Sequence, residues 1–189
     1  MELTENQTFD KINFTASPLP KGEYELCVFN SCDFSNTDLA DIKFIDCEFH
    51  HCNLSLAGLT KTALREVKFI DCKMLGLLFY NCNDYGFAIR FDGCNLNHCS
   101  FYQRKIKKSV FANSKLNEAD FTECDLTGAV FDQCDLLNAK FENTLLEKAD
   151  FRTSFNYSID PDQNYIKKAK FSLSGITGLL DKYDIDIEM

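Results

Sequence analysis

A repeat solenoid with a short C-terminal helix is the fold that this sequence predicts, and two spacings carry the prediction. Every fifth residue from Phe29 to Phe79 and, after one slip of register, from Phe91 to Phe151 gives 24 positions, and all of them are apolar. A helix repeats at about 3.6 residues and a strand at about 2, so a strict period of five fits neither and marks a solenoid. Two residues before each centre, 19 of the 24 positions hold Cys, Ala, Ser or Thr. All ten cysteines lie on that register. Small groups fit where space is short, so the cysteine pattern is a packing pattern.

The bulk properties agree with one soluble domain. The chain has 189 residues, 45% apolar and 26% charged, which is enough to bury a sizeable core. Twenty basic against 29 acidic residues leave a net charge of -9, which argues against a general nucleic-acid or anionic-membrane binder and for a basic protein partner. No apolar run approaches about 18 residues, and the start MELTENQTFDKINF lacks the blocks of a signal peptide. We expect a cytoplasmic protein with reduced thiols.

Along the chain, residues 1–24 keep Phe9, Phe14, Leu19 and Tyr24 roughly in phase, but they include Pro18 and Pro20 and lose the small side positions. They read as a degenerate N-terminal cap. The regular repeat fills residues 25–157, broken at about 80–90, where twelve residues replace ten between Phe79 and Phe91 and Asp84 takes a central position. A bulge or short loop is expected there, with Tyr80, Asn81, Asp84 and Tyr85 available as a contact, although a harmless insertion would look the same. In residues 158–189, Leu173, Ile176, Leu179, Leu180 and Tyr183 fall at helical spacing, with Ser172 or Ser174 able to cap the start. Ile185 and Ile187 then alternate with acids, as a terminal strand would. Such a helix either closes the solenoid or offers its apolar stripe to a second copy.

Units such as NEADF, TECDL, TGAVF, DQCDL, LNAKF and EKADF resemble the pentapeptide-repeat family over roughly residues 25 to 155. The resemblance implies an all-β, right-handed quadrilateral β-helix, with four five-residue sides to a coil and both the central and the small residue pointing inward. Residues 20 apart would then stack at about 4.8 Å, the strand spacing. The alternation of Phe and Leu would put Phe on opposite sides.

The sequence carries no catalytic or metal-binding motif. No phosphate loop or dinucleotide fingerprint is present. His50, His51 and His98 take outward positions in the family model, whereas the neighbouring Cys52 and Cys99 point inward, so CEFHHC and CNLNHC owe their Cys-x4-Cys spacing to adjacent small-residue positions rather than to zinc. No histidine is set beside a distinctive nucleophile. We expect no enzyme, no metal and no cofactor.

Net charge is -3 over residues 1–28, +1 over 29–109, -6 over 110–160 and -1 thereafter. The acidity therefore gathers in the second half, where Glu118, Asp120, Glu123, Asp125, Asp132, Asp135, Glu142, Glu147 and Asp150 are the candidate partner-binding residues, with Asp160 beyond them. Roughly 12 Å of stacked coils holds them, a length over which DNA carries about seven phosphates. Any imitation of DNA by charge is thus local. The plainer alternative is that Asp and Asn before each centre serve turn chemistry and solubility. Arg104 breaks the small-residue rule within the run QRKIKK. A guanidinium does not point unpaired into a Phe-lined core, so either the side distorts outward, the reading we favour, or Arg104 is paired internally.

Within the family, the stretch CNLSLAGLTKTALREVKFIDCKMLGLLF and the ending NYSIDPDQNYIKKAKFSLSGITGLLDKYDIDIE are similar to the albicidin-resistance and peptide-microcin immunity proteins and to the quinolone-resistance, Qnr-type proteins. This resemblance implies a rod, paired as a homodimer through the C-terminal helix, that imitates duplex DNA. It would bind a type II topoisomerase, DNA gyrase or topoisomerase IV, and protect it from a poison. It implies no nucleic-acid and no membrane partner. The chain lacks the long projecting loops of the Qnr pattern. A structural scaffold with a non-topoisomerase partner is the alternative.

Overall fold

The computed structural model describes residues 2–187. The five-residue period becomes short strands and single bridges joined by corners. The strands, in chain order, are β1 (Glu2–Glu5), β2 (Thr8–Asp10), β3 (Gly22–Glu25), β4 (Val28–Asn30), β5 (Lys43–Ile45), β6 (Glu48–His50), β7 (Ala63–Arg65), β8 (Val67–Ile70), β9 (Ile89–Asp92), β10 (Val110–Ala112) and β11 (Val130–Asp132). One parallel sheet runs β1-β3-β5-β7 and the other runs β11-β10-β9-β8-β6-β4-β2. Phe29 pairs with Phe49 and Phe111 with Phe131, so each coil advances the chain by 20 residues. Bridges such as Lys115 to Asp135 and Asp120 to Lys140 tie the remaining sides at the same interval.

Four sides follow from this register. The first carries Phe9 through Phe171, the second Phe14 through Leu136, the third Leu19 through Phe141, and the fourth Tyr24 through Ile166. The corners need a left-handed residue in nearly every unit, such as Asn36, Asp46, Asn113 and Asn138. Asn and Asp tolerate that conformation best among residues with a side chain and hold ten of the 25 non-glycine left-handed positions among the described residues.

In the second half the core is a pair of aromatic stacks on opposite sides, whereas in the first half Phe14 stacks on Phe34 and Tyr24 on Phe44, on the second and fourth sides. On the first side Phe91, Phe111 and Phe131 stack at 5.2 and 4.9 Å between ring centroids, and on the third Phe101, Phe121 and Phe141 stack at 5.0 and 5.1 Å. The two stacks meet edge-on, as Phe111 and Phe121 do at 5.9 Å and 87°. The small inward residues have a second task. The thiols of Cys47, Cys52, Cys72 and Cys134 donate to backbone carbonyls 23 residues earlier at 3.2–3.3 Å. The hydroxyls of Thr62 and Thr144 do the same at 2.8 Å, so Cys and Thr are interchangeable in that role.

All ten cysteines are buried and unpaired. Burial pushes the thiols of Cys47, Cys82, Cys99, Cys124 and Cys134 up to about 12, away from the reactive thiolate. A thiol reagent is therefore expected to leave all ten unmodified in the native rod and to reach all ten on unfolding. Rapid labelling of even one cysteine without loss of structure contradicts this packing.

The ends depart from expectation in instructive ways. At the N-terminus the residues expected as a degenerate cap extend the ladder by a more exposed coil: β1 and β2 pair in register with β3 and β4, and Phe9 stacks on Phe29 at 4.7 Å. At the break, a short 3₁₀ turn at Phe79–Asn81 and a bulge precede β9, and the register shifts so that Phe69 pairs with Phe91. At the C-terminus the expected amphipathic α-helix is instead two 3₁₀ turns, Ile176–Leu179 and Asp181–Tyr183, and no strand forms at Ile185 and Ile187. Two glycines within one turn, at about 1 kcal/mol each relative to Ala, work against a regular helix. Packing needs one of them: a Cβ on Gly178 would lie 2.1 Å from the carbonyl oxygen of Tyr157. Ser172 does accept the Gly175 N–H, at 3.0 Å.

Candidate interaction surface

The four-sided winding distributes the nine candidate carboxylates around the whole rod. By register, Asp132 and Asp150 lie on the first side, Glu118 and Asp135 on the second, Asp120, Glu123 and Glu142 on the third, and Asp125 and Glu147 on the fourth. They form a belt and not one face. Several are also occupied locally. Asp120, Asp125, Asp135 and Asp150 each accept the backbone N–H two residues on, at 3.0–3.3 Å, which is the turn chemistry that the plainer reading describes. Asp125 further meets Lys107 at 3.0 Å, and Glu118 meets His98 at 3.3 Å. Asp150 is clasped by Arg152 at 2.8 Å and Lys170 at 3.5 Å, and the Arg152 hydrogen bonds hold its carboxyl down to about 2. Glu142 and Glu147 make no side-chain hydrogen bond or ion pair among the described residues.

Charge is sorted by side. In the second half the third side carries Asp120, Glu123, Glu142, Asp160 and Asp162 against Lys140 alone. Asp160 and Asp162 are both engaged by Lys182, leaving Asp120, Glu123 and Glu142 as its acidity without an ion pair among the described residues, although Gln103 donates to Glu123 at 2.7 Å. The adjoining fourth side carries Lys105, Lys107, Lys108, Lys148, Lys167 and Lys168 against Asp125 and Glu147. A linear charge count blends these two sides, because neighbouring units in sequence face different directions.

Arg104 corrects the favoured reading of the QRKIKK run. The side keeps its regular ladder and the guanidinium points inward, 4% exposed. Nη1 donates to the Cys82 carbonyl at 3.1 Å and to the Asp84 carboxylate, Nη2 donates to the Asn83 carbonyl at 3.3 Å, and the guanidinium carbon sits 4.0 Å from the Phe87 ring centroid. Nε has no partner. The two extra residues of the break make this possible, since the bulge turns its own carbonyls toward the space that Arg104 fills. Lys105, Lys107 and Lys108 are exposed, as expected.

The four break residues are all exposed and divide between a side and the bulge. Tyr80 and Asn81 are exposed on the third side, whereas Asp84 and Tyr85 stand on the bulge, with Arg65 lying 4.8 Å over the Tyr85 ring. Of the C-terminal five, Leu173, Ile176 and Tyr183 are exposed, while Leu179 and Leu180 are half-buried and Leu179 packs on the core. Sequence reasoning missed Leu78 and Tyr102, which are exposed on the third side beside Tyr80. The signal was available: they are large apolar residues flanking a centre on a side whose other flanking positions, from Leu39 to Phe141, are polar or small.

Inward Phe and Leu, a small residue two places earlier and 20-residue parallel stacking together define a right-handed quadrilateral β-helix, a scaffold whose outward positions are free to vary. The family model for the pentapeptide repeat region matches residues 23–85 and 87–151, separated at the bulge, and the chain belongs to the pentapeptide-repeat family. A trypsin-treated form of QnrB1, a plasmid-mediated fluoroquinolone resistance protein, is similar in structure, with a TM-score of 0.63, 15% identity and 99% of each chain covered. The full-length form of QnrB1 is similar at a TM-score of 0.55 and 15% identity, covering 97% of this chain and 100% of that one. So is HetL from the cyanobacterium Nostoc, a pentapeptide repeat protein involved in heterocyst differentiation regulation, at 0.54 and 15% identity, covering 89% of this chain and 84% of that one. These likenesses concern the fold. No curated protein matches the sequence. Among the described residues no cluster has metal-ligand character, and no helix is long and apolar enough to cross a membrane.

Proposed function

We propose that this chain imitates duplex DNA in the cytoplasm, binds a type II topoisomerase, either DNA gyrase or topoisomerase IV, and protects it from an antibiotic or toxin. The likeness of residues 52–79 and of the ending to the albicidin-resistance, microcin-immunity and Qnr-type proteins supports this reading. The observation that carries it is a stiff prism whose coils hold carboxylates at strand spacing around the rod. The protein acts by binding, without catalysis or cofactor. Two copies pair through the exposed Leu173, Ile176 and Tyr183 at the C-terminal end, which brings their acidic coils toward the two-fold axis.

In a supercoiling assay with gyrase inhibited by a fluoroquinolone or by albicidin, adding the protein is expected to restore supercoiling. The restoration should weaken as salt rises, because the contacts are between charges. Absence of rescue with both gyrase and topoisomerase IV removes the reading. It would favour the second one, a scaffold for a different partner, which the internal pairing of Asp125 and Asp150 and their turn-forming role support.

A further inference from the structure

The third side breaks its own surface rule in one place. Its outward positions run through Asp38, Ala40, Gly58 and Thr60, and later through Asp120, Thr122, Lys140 and Glu142. Between these stretches stand Leu78, Tyr80 and Tyr102, at 40%, 43% and 36% exposure. Leu78 bridges to Ser100, which puts Tyr80 and Tyr102 side by side on consecutive coils. Neither tyrosine hydroxyl has a hydrogen-bond partner among the described residues. Turn chemistry does not call for these residues, and the core is complete beneath them, with Phe79 and Phe101 stacked at 4.6 Å. Rigid, flat tyrosines at the middle of a polar face are what protein interfaces use as anchors.

The surroundings say what kind of surface the anchors would meet. On the next coils of the same side stand Asp120, Glu123 and Glu142, and around the edge is the lysine-rich fourth side. A basic partner is drawn to the third side and repelled by its neighbour, which fixes which way the rod is turned.

We propose that the third side, anchored by Leu78, Tyr80 and Tyr102 and steered by Glu123 and Glu142, is the docking surface for a basic protein face with an apolar centre. Naming that partner as a topoisomerase rests on the function proposed above. Tyrosine faces suit arginine there, because a guanidinium can lie on the ring while its neighbours reach the carboxylates. The acidic belt as a whole is then not the binding site, and one side in four makes the contact.

The test measures binding of the full chain to reconstituted gyrase and to topoisomerase IV, without DNA, across a salt series. Tyr80→Ala with Tyr102→Ala is expected to weaken binding about tenfold to a hundredfold, mainly through faster dissociation. Glu123→Lys with Glu142→Lys is expected to slow association and flatten the salt dependence. Lys148→Gln with Lys168→Gln, on the fourth side, is expected to bind as the parent does. All six positions are outward, and unchanged melting checks that each variant is folded. If the parent binds and both third-side variants bind equally well, the docking surface is wrong while the topoisomerase reading stands. If the parent binds neither enzyme, the topoisomerase reading falls and takes the named partner with it.

Discussion

Phe111→Ala is expected to destabilise the rod by about 3–5 kcal/mol, at the upper end for a core truncation. Phe111 is fully buried, stacked between Phe91 and Phe131 and edge-on to Phe101 and Phe121, at centroid distances of 4.9 to 5.9 Å. The cost of such a cavity depends on how far the surroundings collapse into it. Here they are held apart, because Phe111 sits in β10, which is hydrogen-bonded to β9 and β11 on either side. A solenoid also passes each coil's stability to its neighbours, so a weak central coil lowers the stability of both halves. Denaturant unfolding of Phe111→Ala beside the surface change Thr122→Ala measures the effect, with the surface change expected within about 0.5 kcal/mol of the parent. A loss for Phe111→Ala below about 1 kcal/mol would mean that the stack relaxes and that the rod is softer than its ladder implies.

Asp84→Ala is expected to be the more damaging half of a paired experiment with Arg104→Met. The Asp84 carboxylate stands almost fully in solvent, while its partner guanidinium is buried, so the pair straddles the surface. Removing the carboxylate leaves a buried cation with two carbonyls, one aromatic ring and an unpaired Nε. Because that carboxylate is screened by solvent, its loss is expected to cost about 1 kcal/mol, set by the buried cation it leaves behind. Arg104→Met removes the charge and its desolvation cost together and keeps an apolar side chain against Phe87, so global stability is expected to change by less. It frees the carbonyls of Cys82 and Asn83, however, and amide exchange and proteolysis in residues 83–88 are expected to speed up. If Arg104→Met proves the more destabilising of the two, the desolvation argument fails; if it leaves the bulge as protected as before, Arg104 is not what fixes the bulge.

Much of this was legible because the signal is local and repeated. Phe29, Cys27 and Asn36 each announce a role, respectively centre, small inward group and corner, that depends on place within five residues. The same regularity made Arg104 hard to read. Its surroundings are set by Cys82, Asn83, Asp84 and Phe87, about twenty residues away in sequence, and only the extra length of the bulge lets them converge. The C-terminal turns were misjudged for a related reason: helical spacing from Leu173 to Tyr183 is visible in the chain, but the close approach of Gly178 to Tyr157 is not.

The interaction surface shows the same division. Composition located an acidic second half, yet successive units face four directions, and closing the prism is what separates Glu123 and Glu142 from Lys148 and Lys168. The sequence by itself determined the period, the inward residues and hence the prism, because burying Phe and Leu at every fifth position leaves the backbone one regular path. Only the tertiary structure decided which side chains share a side, since neighbours on a face come from residues 20 apart, brought together by the parallel ladder rather than by the chain.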